Sequence, residues 1–260
     1  MPSSLRELLQ DISPMPYVCW PILPLGGVLV IGAAAKSQKS MLALNLAYSL
    51  SEPRDFAGFA VKSQQRVLYI DEEIGPWGMR DRLRSIHAAC QGVFALDNLV
   101  LEPKSRIHYA LEEGSAGFRN LDALVAAVRP NVLILDPLRE FHLLDENDST
   151  AMTRVFKGLY ALKEAHNLTV VLVHHAGKRN EYRDASNPES LRGSSKIFDV
   201  GDSYCIIERP VTQPREPDTP QPLRLFFRFR HAADIEPVSV FFDPRTLVIA
   251  RAPSMVQICS

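Results

Sequence analysis

The sequence predicts an α/β protein built on a mainly parallel central sheet flanked by helices, with an antiparallel extension towards the C-terminus. Two observations carry this. Short continuous apolar runs of strand composition recur at residues 28–32, 66–71, 131–136, 169–173 and 203–208, with helical periodicity in most of the intervals. Strands that are apolar on both faces are buried on both, which a parallel sheet achieves by laying helices on either side. The pattern then changes: LRLFFRFR (223–230), VSVFFD (238–243) and LVIA (247–250) follow one another with no helix between them. Strands joined without a crossover pair antiparallel.

Each element has a local cause. Residues 12–25, ISPMPYVCWPILPL, hold four prolines among apolar residues, which suits an extended strap lying on the domain. Val28–Ser40, VLVIGAAAKSQKS, runs from a strand through small residues to Lys39 and Ser40, which open the apolar helix MLALNLA. RVLYIDEE (66–73) and NVLILDP (131–137) are apolar strands ending in carboxylates. In a helix over about 149–165, Met152, Val155, Phe156, Leu159 and Leu162 share one face, and Asp148 or Ser149 caps the first turn. LTVVLVHHAGK (168–178) is a strand ending in His174 and His175. The proline-rich PVTQPREPDTPQP (210–222) is an exposed loop joining antiparallel strands. No internal repeat is visible, and one domain is the economical count.

With 260 residues, 46 % of them hydrophobic, the chain has ample material for a core. Its net charge of −1 means that contact with nucleic acid must come from a local patch. Cysteines at 19, 90, 205 and 259 are scattered without a C-x-x-C pair, as expected of free thiols in a reducing compartment. The N-terminus has no secretory pattern and the apolar run 28–35 is too short to span a bilayer. A cytoplasmic protein without membrane contact is expected.

The chemistry concentrates at strand ends. Backbone N–H groups at a helix N-terminus face an anion, a lysine reaches the β- and γ-phosphates, and a hydroxyl ligates magnesium. The pattern G-x-x-x-x-G-K-[ST] would place glycines at 33 and 38, where this chain has Ala33 and Gln38, with Gly32 one place early. Alone, the segment reads either as a phosphate cradle or as an ordinary strand–turn–helix with a surface lysine. Asp71, Glu72 and Glu73 end a strand expected beside that loop, where a carboxylate activates water or caps a helix; Glu73 is the one chosen for chemistry. Asp136, at the tip of a buried strand, suits magnesium held through a water. A polar residue ending the 168–175 strand sits where it can sense a γ-phosphate. His174 and His175, being adjacent on a strand, point to opposite faces and do not easily share one metal.

Taken in order, GAAAKSQKS, VLYIDEE, VLILDP, LDENDSTAM, VVLVHHAGK, LRGSSKIFDVGD and RLFFRFRHA resemble the RecA-like ATPases grouped around the plasmid replicative helicase RepA, and more distantly the DnaB-type helicases. The likeness runs from about residue 20 to 250. It implies an ATPase domain over 26–252, with a strap at 1–25 and a tail at 253–260. It also implies an ATP-binding loop made by Gly32, Ala33, Ala34, Ala35, Lys36, Ser37, Gln38, Lys39, Ser40 and Met41, since relatives often read K-S-x-K-S. By the same likeness Lys39 is the phosphate-loop lysine, Ser40 and Asp136 serve Mg2+, Glu73 polarises the attacking water and His175 is the strand-end sensor.

The resemblance further implies a homo-oligomer, a hexameric ring in which Arg228 and Arg230 reach a neighbouring subunit's γ-phosphate. On composition alone those arginines are equally the charged face of an exposed strand. Segments 139–150 and 176–192 would line a central channel, with Lys178, Arg179, Arg183 and Arg192 contacting single-stranded DNA. The implied activity is a ring-forming motor or helicase in the replication of a plasmid, phage or mobile element. The alternative is an ATP-binding regulatory switch or loader without helicase activity. A nucleotide-free scaffold is disfavoured, because Lys39, Ser40, Glu73, Asp136 and His175 are all kept.

Overall fold

The computed structural model describes residues 4–10, 13–33, 37–175, 199–210 and 218–251, apart from the side chains of residues 7 and 8. The strands are β1 (Tyr17–Cys19), β2 (Leu23–Pro24), β3 (Val28–Ala33), β4 (Val67–Asp71), β5 (Leu99–Pro103), β6 (Val132–Asp136), β7 (Thr169–His175), β8 (Ser203–Glu208), β9 (Gln221–Phe229), β10 (Val238–Phe242) and β11 (Ile249–Arg251). The helices are α1 (Leu5–Gln10), α2 (Lys39–Ser51), α3 (Pro76–Cys90), α4 (Ala95–Asn98), α5 (Ala116–Val128) and α6 (Ser149–His166), with a 3-10 turn at Leu138–Phe141.

Among the described residues the central sheet has nine strands in the order β11-β10-β9-β8-β3-β7-β6-β4-β5. The segment from β8 to β5 is parallel, and β9, β10 and β11 add on antiparallel. This is the predicted arrangement. Because successive strand residues face opposite sides, each strand feeds two cores. Leu29, Ile31, Tyr69, Ile134 and Val173 pack beneath α2, whereas Val30, Leu68, Leu135 and Leu172 meet Leu121 of α5 and Leu159 of α6.

The helix α2 is buried all round except at Ser40, which its continuous apolar sequence requires. Its one central polar residue, Asn45, donates to the Leu247 carbonyl and accepts from Ile249 N, tying the helix to the C-terminal strands. At α6, Asp148 accepts from the amides of Thr150 and Ala151, so the aspartate rather than Ser149 is the cap.

Four expectations need amending. The edge strand β5 was not foreseen, because LVLEP is half-exposed along its whole length and carries neither alternation nor a buried run. The proline-rich strap folds into a short antiparallel pair, β1 with β2, and Trp20 bridges to Ala60. The strand β9 begins at Gln221, inside the segment read as a loop, of which residues 211–217 lie outside the described residues. Lastly, β4 is not beside β3: β7 and β6 lie between them. Among the described residues no helix is long and apolar enough to cross a membrane.

Candidate active site

The site forms where the carboxyl ends of β3, β7, β6 and β4 come level. Register aligns Ala33 with His175 and Asp71 with Asp136. Just beyond β3, Gln38 adopts φ 66° and ψ 22°, the left-handed conformation for which the phosphate-loop pattern reserves its glycine. The backbone turn is thus made without the glycine, at a cost of about 1 kcal/mol. It lets Lys39 open α2, which has no side-chain cap and no acidic residue in its first turn. Unsatisfied amides and the positive end of the helix dipole therefore face outward. Lys39 is only 7 % exposed, and among the described residues no carboxylate lies within ion-pair distance of it. A buried ammonium with no carboxylate in ion-pair contact among the described residues, at a helix N-terminus, suits an anion.

Asp136 completes the floor. It is 1 % exposed, and its carboxyl is pushed up to about 6 by burial, with Asp71 adding and Tyr69, Ser40 and Lys39 opposing. Its Oδ2 accepts a hydrogen bond of 2.5 Å from Tyr69, while its Oδ1 is sealed from solvent without a partner among the described residues. A buried carboxylate with one idle oxygen beside the Ser40 hydroxyl suits a hard cation. No group of three or more His, Cys, Asp or Glu side chains able to hold a metal exists among the described residues. An ion here must draw its other ligands from phosphate and water, as magnesium does, so the residues fit that cation. Tyr69, which sequence reading missed, also reaches the Ser40 carbonyl at 3.4 Å and so links β4, β6 and α2. The available signal was a polar-tipped ring inside an otherwise aliphatic strand.

The three acids after β4 take different roles. Buried Asp71 accepts from the amides of Glu73 (2.8 Å) and Ile74 (2.7 Å), curling the chain back over the sheet edge. Glu72 has its carboxyl raised by burial, with Lys104 opposing. Glu73, partly exposed, comes to 3.6 Å from His175 Nε2 across the one intervening strand, β6. Burial, then the Lys39 charge, lowers the His175 pKa, with Glu73 opposing. The imidazole is therefore mainly neutral at neutral pH and offers both a donor and an acceptor.

Comparison with known proteins places this geometry. The family described as the AAA domain matches residues 1–181. The chain belongs to this family. Among solved structures it is similar to a KaiC-like protein from the hyperthermophilic archaeon Pyrococcus horikoshii OT3, with a TM-score of 0.60 and 11 % identity over 92 % of this chain and 100 % of that one. What the two share is the fold. The domain is a P-loop ATPase of RecA-like fold.

The remaining sequence-chosen residues divide. Gly32 and Ala33 end β3, Ser37 is buried, and Met41 turns its side chain into the core, leaving its amide as the group at the site. Ala34, Ala35, Lys36, Lys178, Arg179, Arg183 and Arg192 lie outside the described residues. Arg228 pairs with Asp234 at 3.1 Å. Arg230 donates to the Asp199 carbonyl at 2.5 Å and lies 3.7 Å from Asp202. Since Ser203 pairs with Phe229, both arginines sit at the amino edge of the parallel strands, opposite this chain's own Lys39 and Glu73.

Proposed function

We propose that the domain hydrolyses ATP with magnesium, and that it works as a ring-forming motor on single-stranded DNA in the replication of a plasmid, phage or other mobile element. Hydrolysis is supported above all by buried Lys39, which lacks a carboxylate partner among the described residues, at the same sheet edge as the Glu73–His175 contact. The Lys39 ammonium and the first amides of α2 hold the β- and γ-phosphates. Ser40 and Asp136 would hold the magnesium, which when bound neutralises charge developing on the phosphate oxygens. Glu73 orients the attacking water and takes its proton. His175 donates to a γ-phosphate oxygen and keeps Glu73 in place. A positioned base contributes roughly 10²–10⁴ in rate, and a charge-stabilising donor roughly 10²–10³.

The motor reading draws on the likeness to RepA-type helicases and on the basic residues Lys178, Arg179, Arg183 and Arg192 in a chain of net charge −1. The ring reading draws on Arg228 and Arg230. A switch without motor activity is favoured by one observation: both arginines already have partners in their own chain. ATPase rate against protein concentration, with and without single-stranded DNA, separates the two. A motor gains turnover with concentration and with DNA; turnover indifferent to both leaves the switch. Mixing Arg230→Ala with Glu73→Gln subunits should restore activity through intact interfaces, and no rescue at any ratio removes the arginine's role in trans.

A further inference from the structure

The face of β7 turned away from Glu73 carries a second cluster. Glu146, in the turn before α6, brings Oε1 to 3.7 Å from His142 Nε2 and 3.8 Å from His174 Nδ1. Both imidazoles are buried, and Glu146 Oε1 is sealed from solvent with no hydrogen bond among the described residues. His174 shares its face of β7 with Leu172, a member of the apolar core that also includes Phe141 and Met152. A carboxylate between two buried imidazoles costs more in desolvation than apolar packing there would, so it is weak evidence for stability. Its geometry serves better as a brace.

The turn bearing Glu146 is firmly built. Arg139 donates to the Leu144 carbonyl at 2.7 Å, the Leu143 amide to Glu112 at 3.2 Å, and the backbone and side chain of Asn147 to Asp145 at 3.0 Å. The tip of β7 is paired unevenly by its two neighbouring strands. Its ladder to β6 ends at the Leu135–Leu172 pair, so beyond Val173 it is paired on the β3 side, as far as Ala33–His175. At His174, past the end of that ladder, Glu146 adds a contact from the turn before α6. The next residue, His175, points to the opposite face and meets Glu73 at 3.6 Å.

We infer that Glu146 is a positioning residue for His175 and, through it, for Glu73, acting by bracing His174 on the face of β7 turned away from Glu73. This rests on the reading of Glu73 and His175 as the hydrolytic pair. A displacement of the 139–148 turn is then felt at the γ-phosphate site without any contact to nucleotide.

The test compares Glu146→Ala and the near-isosteric Glu146→Gln in the full chain. Two readouts are used: steady-state ATPase kinetics, and the imidazole ¹H–¹⁵N resonances of His175, assigned by their loss in His175→Asn. Glu146→Ala should lower kcat about tenfold with KM within about twofold, because Lys39 and Ser40 are untouched. Glu146→Gln, which keeps the shape and drops the charge, should lose about threefold. The His175 resonances should move in each variant without nucleotide. Unmoved resonances in a folded variant, or an unchanged kcat, overturn the inference. Should the alanine variant not fold, the glutamine variant decides by both readouts. If the wild type hydrolyses no ATP, the hydrolase reading fails, while the nucleotide-free spectra still decide what Glu146 does.

Discussion

Asp136 is held where its charge is disfavoured, and that has a measurable consequence. A carboxyl raised from 3.8 to about 6 means that the native state binds a proton more tightly than the unfolded chain does. Stability is therefore lost as pH rises from about 4 through 6 and stays lost above, by about 3 kcal/mol at most. Asp136→Asn should be more stable than wild type by about 1–3 kcal/mol at pH 7, with the gap closing near pH 4, in urea titrations run in EDTA. A gap independent of pH would contradict the burial argument. Tyr69→Phe acts in the other direction, since it leaves a buried carboxylate oxygen unsatisfied, and should cost about 1–3 kcal/mol in the same titrations. It should also weaken magnesium-dependent turnover; unchanged activity would reduce Tyr69 to packing. Residue types and positions marked out Lys39, Ser40, Glu73 and Asp136 as candidates, and the family likeness singled out His175 from the His174–His175 pair. The left-handed turn at Gln38 was hidden, because glutamine gives no sign of a conformation that only the surrounding structure imposes.

The helix α6 has its tightest constraint at Gly158. A methyl group there would come to 1.7 Å from the Leu111 carbonyl oxygen, so the helix packs directly against backbone. Alanine normally favours a helix by about 1 kcal/mol over glycine. Here the clash wins, and Gly158→Ala is expected to destabilise by at least about 3 kcal/mol or to abolish soluble expression. A rise in melting temperature would refute the contact. The same helix shows what a sequence displays well: its apolar stripe and acidic cap fix its extent to within a residue of Ser149–His166. Strand β5 shows the opposite, because an edge strand half-open to solvent satisfies no periodicity rule. Strand order was also hidden. Nothing in VLYID says that two later strands will separate it from VLVIGA, and that separation is bridged by the turn Asp71 folds for Glu73.

Across the domain, every piece of the candidate site rests on a different strand end, so nucleotide binding and global folding are linked. ATP with magnesium at about 100 times its Kd should stabilise the native state by about 2.7 kcal/mol, roughly 5 °C or more in Tm for a chain of this size. Lys39→Ala should abolish that shift and reduce kcat/KM at least about a hundredfold. A shift kept in Lys39→Ala would place the nucleotide elsewhere. The insertion of β7 between β3 and β6 has a further consequence during synthesis. Until Thr169–His175 has left the ribosome, the strand leading to Lys39 and the strand carrying Asp136 have no common neighbour to bring them side by side. During synthesis, Lys39 and Asp136 therefore come together across the sheet only after β7 has emerged to lie between their strands.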